Sequence, residues 1–371
     1  VDDSQTPEDH SPAQKVDQRK GSPRPFTPRR WLRGGHVQTI ASFLISRRFH
    51  LPEHEERFID VEPGVRVLCH CHWQADRANA LTVIIVHGLE GSSDSQYMLG
   101  VTEKALAAGI NVIRYNQRNC GGTDALAPVL YHSGLSTDVA AVAHDVIARD
   151  GVTRLALAGF SMGGNIVLKL AGEWGSGGPT QFRAVVAVCP AIDLSTSSDA
   201  LHQRANRLYE KYFLWALRRR MLQKARLFPG QFDVSRLRGI QSLRDFDDKI
   251  TAFYCGFTGV DDYYHRASAA QVVQRIAVPT LIMYAANDPF IRITPETRRK
   301  IASNPNITFV ETEDGGHCAF VGAPSRNSFE PYTSEAHAKT ADKDRDKDGD
   351  KNSNDDGYWA EQEIVSFLRN F

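Results

Sequence analysis

The residues whose types and spacing could do chemistry centre on Gly159-Phe-Ser-Met-Gly163, a G-x-S-x-G run between an apolar stretch at 155–159 and a helical pattern at 164–170. A serine on so tight a strand-to-helix turn is strained. Side chains at 159 and 163 would strike the neighbouring helix and strand, which explains both glycines. A hydroxyl is too weak an acid to attack an ester without a base, so a histidine and an orienting carboxylate must follow in the chain. His317, in Asp314-Gly-Gly-His317, and Asp288, in Asn287-Asp-Pro-Phe290, meet that need in the order Ser, Asp, His. The oxyanion that forms needs two backbone donors. Met162 N–H is the first. Leu89 N–H is the second, because Gly88 lets the loop after residues 81–86 turn towards Ser161.

Competing constellations are weaker. His87 ends a strand in His87-Gly-Leu-Glu-Gly-Ser-Ser93 and reads as structural; Cys120, in a glycine turn, lacks any context for a base. Cys69-His-Cys-His72 resembles a metal cluster, but strand side chains alternate faces, so the cysteines and histidines point oppositely. Asp344, Asp346, Asp348, Gly349, Asp350 and Asp355 have the spacing of a calcium loop, yet Lys351 stands where an apolar anchor belongs, so the stretch reads as a polar insertion. These motifs therefore do not commit the chain to a metal.

The elements that must position these residues follow from periodicity. Residues 56–74 alternate as two strands about Glu62-Pro-Gly64, giving the sheet an antiparallel start. Short continuous apolar runs at 81–86, 111–115, 155–159, 185–188, 280–284 and 307–311, separated by helical stretches, predict buried parallel strands. The fold class is α/β, with a mostly parallel central sheet flanked by helices. Between 193 and 276 the strand signal gives way to helices, chiefly 201–227 and 261–276, a helical cap inserted after the sixth strand. The full division is a disordered tail at 1–25, a first core part at 26–192, the cap at 193–276, a second core part at 277–322, a polar disordered insertion at 323–357 and a core helix at 358–371. From Pro28, Trp31, Val37, Ile40, Phe43, Leu44 and Ile45 form a short amphipathic helix among arginines, expected to cover its own domain, with peripheral membrane contact as the alternative. Arg218-Arg-Arg220 reads as a solvated helix face.

Bulk composition narrows the partners. Lys plus Arg and Asp plus Glu number 44 each, so no global field favours nucleic acid. Six scattered cysteines do not form a disulfide framework and suit a reducing, cytoplasmic setting. Neither a secretory signal nor an apolar run long enough to span a membrane is seen. Oligomeric state is not encoded in these motifs.

Taken together, Trp31-Leu-Arg-Gly-Gly-His-Val-Gln-Thr-Ile40, His87-Gly-Leu-Glu-Gly-Ser, Arg118-Asn-Cys-Gly-Gly, Gly159-Phe-Ser-Met-Gly-Gly-Asn165, Asp261-Asp-Tyr-Tyr-His-Arg-Ala-Ser268, Asn287-Asp-Pro-Phe and Gly315-Gly-His317 resemble the YheT-like family of α/β-hydrolase-fold esterases and lipases. The likeness covers nearly all of 26–322 and the last helix. It implies carboxylesterase activity on a small-molecule or lipid ester, a Ser161, Asp288, His317 triad, an oxyanion hole at Leu89 and Met162, and no cofactor. Asn287 departs from the family, replacing the acid that often precedes the triad aspartate, and so does the insertion at 323–357. Acyl transfer to an alcohol through the same acyl-enzyme, and a non-catalytic binding scaffold on the same fold, are the alternative readings.

Overall fold

The computed structural model describes residues 23–323 and 356–371. The aspartate-rich stretch with calcium-loop spacing lies outside them, as do most of the proposed tail and insertion. Eight strands form one sheet: β1 (Glu55–Glu62), β2 (Val65–His72), β3 (Thr82–Val86), β4 (Asn111–Asn116), β5 (Leu155–Phe160), β6 (Phe182–Val188), β7 (Thr280–Ala285) and β8 (Ile307–Thr312). Their spatial order is β1-β2-β4-β3-β5-β6-β7-β8. β1 pairs antiparallel with β2 and β2 antiparallel with β4, while every later pairing is parallel. The apolar runs thus predict every parallel strand to within three residues at each end.

The central strands β3, β4, β5 and β7 are buried at every position because both faces of the sheet are covered there. Ile84 and Val86 of β3 pack with α3 (Ser136–Asp150) and α4 (Met162–Trp174). Val83 and Ile85, pointing the other way, pack with α2 (Gln96–Ala107) and α10 (Trp359–Leu368). Near the chain start α1 spans Gly35–Leu44, and between β7 and β8 α9 spans Pro295–Ala302.

The segment between β6 and β7 carries α5 (Leu194–Leu201), α6 (Arg207–Leu227), α7 (Leu243–Phe246), a π turn at Asp247–Ala252 and α8 (Val260–Ala267). Leu214, Leu217, Met221, Phe246 and Ile250 give it a small core of its own. Two helices that the sequence pattern makes continuous are divided. The 201–227 pattern contains a break, where Asn206 Nδ2 donates to Ala200 O at 2.8 Å and Pro289 O at 2.7 Å, taking up a carbonyl at the end of α5 just before α6 starts. The 261–276 pattern is α8 followed by two 3-10 turns, because Ser268 Oγ donates to Tyr264 O at 2.6 Å and accepts from Leu194 N–H at 3.1 Å. Side-chain bonds of this kind offer the backbone a competing partner that apolar periodicity does not reveal. The helix after Ser161 is longer than expected, reaching Trp174 rather than residue 170.

Two boundaries of the polar segments also shift. Arg24, inside the expected tail, bonds Glu363 Oε1 at 2.8 Å and Gln362 Oε1 at 2.7 Å. Asp356, inside the expected insertion, meets Arg47 at 3.0 Å and Lys104 at 2.7 Å. Ion pairs rather than apolar burial fix these residues, so composition alone misses them.

The largest correction concerns α1. Its apolar stripe does not face the domain: Gln38 and Thr39 are its buried residues, whereas Val37, Ile40, Phe43 and Leu44 are exposed, as is Trp31 ahead of the helix. Gln38 explains the inversion. Its amide donates to Leu32 O (2.7 Å) and Val321 O (3.0 Å) and accepts from Val321 N–H (2.8 Å), a set of bonds that only a buried, oriented amide can make. Among the described residues, no helix is long and apolar enough to cross a membrane.

Candidate active site

Ser161 sits between β5 and α4 with φ 54° and ψ −117°, a positive-φ conformation that costs a non-glycine residue about 1–3 kcal/mol. Its neighbours permit that turn. A Cβ on Gly163 would lie 2.2 Å from Val86 O, which leaves no room for a side chain, and one on Gly88 would lie 3.2 Å from Ser161 Cβ, a tight fit beside the serine.

Asp288 and His317 come to it from loops after β7 and β8. His317 Nε2 is 2.9 Å from Ser161 Oγ, and His317 Nδ1 is 2.7 Å from Asp288 Oδ2. Asp288 serves the turn as well: its Oδ1 accepts from Phe290 N–H (3.0 Å) and Ile291 N–H (2.9 Å). The structural and orienting roles are thus divided between the two oxygens of one buried carboxylate. Nδ1–H donating to Asp288 leaves Nε2 free to accept the serine proton, the tautomer a general base needs.

Leu89 and Met162 both border the serine's cavity. Met162 opens α4, where amides lack an intrahelical acceptor, and Leu89 N–H has no hydrogen-bond partner among the described residues. Both amides are thus available to an incoming oxyanion.

The roles of several positioning residues are not legible in the sequence. Thr39 Oγ1 accepts from His317 N–H at 2.8 Å, so the buried face of α1 holds the histidine loop. Asn287, which the family likeness marks only as a missing acid, ties that loop together by donating to Asp314 Oδ1 (2.7 Å) and accepting from Gly316 N–H (3.1 Å). An amide can do both, and a carboxylate could not. Arg220 departs from the solvated face expected of the arginine run. Its guanidinium is largely buried and bidentate to Glu90, at 2.8 and 3.1 Å, with a further bond to Asn119 O. Glu90 also accepts from Tyr131 OH at 2.7 Å and donates its own N–H to that oxygen at 3.2 Å. The cap helix α6 is thereby clamped to the loop that carries Leu89. One turn on, Lys224 is fully buried, bonded to Asn119 Oδ1 and Asp124 O at 2.9 Å each, and burial pushes it down to about 8.

Arg220→Gln strands the Glu90 carboxylate in its buried site. Stability is expected to fall by about 3 kcal/mol, with kcat falling more than KM rises, because the loop that carries Leu89 loses its anchor beside Ser161. A thermal melt and steady-state kinetics on one ester check this; an unchanged melting temperature would count against the clamp.

His87 is structural: Nδ1 donates to Gly88 O at 2.8 Å and Nε2 accepts from Gln117 N–H at 3.2 Å. Burial pushes His87 and His72 down to about 4, below the usual imidazole range, and pushes Asp247 up to about 6. The imidazoles contribute stability that is complete above about 6.5 and drains as pH falls towards 4; Asp247 acts oppositely, its ionisation penalty being relieved below about 6. His132, which burial pushes down to about 3, adds a third imidazole, and three imidazoles outweigh one carboxylate, so the urea midpoint is expected to drop from pH 7 to pH 5 by an equivalent of about 4 kcal/mol. A midpoint that rises or holds would contradict the assignment.

Cys120 is fully buried with its thiol pushed up to about 12, consistent with a passive role. The strand alternation at 69–72 holds, since Cys69 and Cys71 enter the core while His70 and His72 pack with His54 on the other face. Among the described residues, two groups have donor atoms close enough to hold a metal ion: His54, Glu56 and His70, and Cys189, His317 and Cys318. Beside the first, Arg114 Nη2 lies 3.4 Å from His72 Nε2, a positive charge unfavourable to a second cation. In the second, His317 Nε2 is already taken by Ser161.

The cavity in front of Ser161 encloses about 950 Å³ of empty space, including the part open to solvent. Leu201, Phe213, Leu217, Met221 and Phe246 of the cap line one side, with Phe290 beside His317 at a ring distance of 4.3 Å. Ser198, Tyr264 and Asp247 form a hydrogen-bonded polar group in the lining, which Ser133 also joins as a lining residue. Asp247 there accepts from Thr251 Oγ1 at 2.7 Å and Tyr264 OH at 2.8 Å.

Comparison with known proteins agrees with this architecture. The family model described as alpha/beta hydrolase fold matches residues 82–324. The YheT protein of Escherichia coli K12 is 30% identical over 304 residues, 80% of this chain and 87% of its own. Mouse phospholipase ABHD3 is 29% identical over 253 residues, 67% of this chain and 60% of its own. The solved esterase Pf2001 of Pyrococcus furiosus aligns with a TM-score of 0.49 at 16% identity, over 81% of this chain and 92% of that one. The sheet order, the serine turn between β5 and α4, and the match to YheT together show that this chain belongs to the α/β-hydrolase fold family, in its YheT-like branch.

Proposed function

We propose that this α/β hydrolase cleaves carboxylic esters of apolar acyl chains through an acyl-enzyme on Ser161. The observation that carries the reading is the relay Asp288–His317–Ser161, at 2.7 and 2.9 Å, opening onto a largely apolar cavity. Ser161 Oγ attacks the ester carbonyl as its proton passes to His317 Nε2, and the oxyanion is met by the amides of Leu89 and Met162. Collapse breaks the bond to the alcohol oxygen, which leaves with the imidazolium proton. Water then attacks the acyl-enzyme, gives its proton to the same nitrogen, and the free acid departs as Ser161 regains its hydrogen. The Asp288 carboxylate steadies the imidazolium throughout.

The names of the relatives, an esterase in bacteria and a phospholipase in mammals, support an ester substrate. The apolar lining supports a medium-length acyl chain. Turnover of p-nitrophenyl acetate, butyrate, octanoate and palmitate tests this, with kcat/KM expected to rise from acetate and peak before palmitate. Failure to cleave any of the four would end the proposal. With ethanol added, ethyl ester among the products would assign acyl transfer to the same intermediate.

A further inference from the structure

Two helices present apolar side chains to solvent beside each other. On and just before α1, Trp31 is 69% exposed, Phe43 72% and Leu44 77%, with Val37 and Ile40 alongside. On α6, Leu208 is 79% exposed and Trp215 58%, with Tyr212 between them in the same helical stripe. Phe43 and Tyr212 touch edge to face, 6.2 Å between ring centroids, so the two stripes join into one surface. From there aromatic rings lead inward: Tyr212 to Phe213 at 5.8 Å, Phe213 to Phe290 at 6.3 Å, and Phe290 to His317 at 4.3 Å. Phe213 and Phe290 also line the cavity in front of Ser161.

The border of this surface is basic. Arg30, Arg33 and Arg48 are exposed around α1, and Arg204, Arg207 and Lys211 at the start of α6. None of the six makes an ion pair with another described residue. Each is a cation without a counter-charge among the described residues, in a chain whose net charge is zero.

We propose that this surface docks on an anionic lipid–water interface. Large apolar and aromatic side chains held among unpaired arginines are what an interfacial helix presents: the rings enter the headgroup boundary and the cations meet phosphate and carboxylate groups. A second copy fits poorly, since self-association across the patch would oppose the same arginines. Residues 1–22 and 324–355 contain no Leu, Ile, Met or Trp and only two aromatic residues, Phe329 and Tyr332, few apolar side chains with which to cover it. The docked face sits against the elements that hold His317, because α1 turns its polar side to that loop and its apolar side outwards. The inference deepens the ester-hydrolase reading, for an ester dissolved in lipid would meet the protein near its catalytic histidine.

Co-sedimentation of the full chain with phosphatidylcholine vesicles, and with phosphatidylcholine vesicles containing phosphatidylserine, tests the surface. Preferential binding to the second is expected. The pair Phe43→Ser with Leu44→Ser, and separately Arg207→Gln with Lys211→Gln, should each weaken it about tenfold or more. Both pairs lie on exposed positions, and turnover of water-soluble p-nitrophenyl butyrate should be unchanged in each. Binding by Ser161→Ala protein is measured in parallel, so that the surface is scored independently of whether the ester chemistry is right. Equal indifference to both vesicles overturns the proposal, as does binding that ignores both pairs of substitutions. Dimerisation dissolved by the Phe43 and Leu44 changes, without vesicle binding, would assign the face to self-association and overturn it equally.

Discussion

Replacing Ser161 with alanine is expected to lower kcat on p-nitrophenyl butyrate by about 10⁴- to 10⁶-fold while leaving KM little changed. The cavity and the amides of Leu89 and Met162 survive the substitution, so substrate still binds; on the proposed mechanism what disappears is the oxygen that forms the acyl bond. The change also relieves little of the turn's strain, because alanine meets the same penalty as serine at φ 54°. Stability should therefore move by less than about 1 kcal/mol. A fluorophosphonate should label the native protein at Ser161 and leave the variant unlabelled. Retention of full turnover would refute the acyl-enzyme mechanism, and absence of labelling in active native protein would point to another nucleophile. Inert native protein that also resists the reagent would favour the scaffold reading.

The second large effect is expected from Asp288→Asn, which should cost about 10³- to 10⁴-fold in kcat with the fold intact. The oxygen of the introduced amide can still accept from Phe290 and Ile291, so the turn after β7 keeps its hydrogen bonds. On the other side, the amide presents N–H where a carboxylate oxygen stood, 2.7 Å from His317 Nδ1. The imidazole must then place its proton on Nε2, and a protonated Nε2 cannot take one from Ser161. The loss should therefore appear in kcat, with a melting temperature close to the native one. Asp288→Ala, which removes the turn bonds as well, should add a stability loss of about 1–3 kcal/mol. An asparagine variant retaining a tenth or more of the native rate would show that Asp288 serves the turn alone.

Much of this site is legible in the sequence. The G-x-S-x-G turn is a local object: two glycines, an apolar run before and a helix after specify it without reference to the rest of the chain. His317 and Asp288 can be chosen because each follows a recognisable strand, and in a parallel sheet the loops after neighbouring strands open on one edge. Strand positions are readable for a related reason, since burial on both faces leaves the central strands buried at every position and mostly apolar, as in β3 and β5.

What the sequence by itself determined is the chemistry available and the sheet that carries it; tertiary structure alone decided which way the surrounding helices turn and what they hold. Arg220 resembles its two neighbours in sequence, and only the fold sets Glu90, 130 positions away, beside it. Thr39 shows no sign in sequence of supporting a histidine 278 residues later. The apolar stripe of α1 reads as inward-facing, yet Gln38 and Thr39 occupy the inner face. The physical reason is common to all three. Periodicity reports that a helix has two unlike faces, but a polar side chain with well-aligned hydrogen-bond partners can outcompete an apolar one for the interior, and those partners arrive only when distant segments pack together.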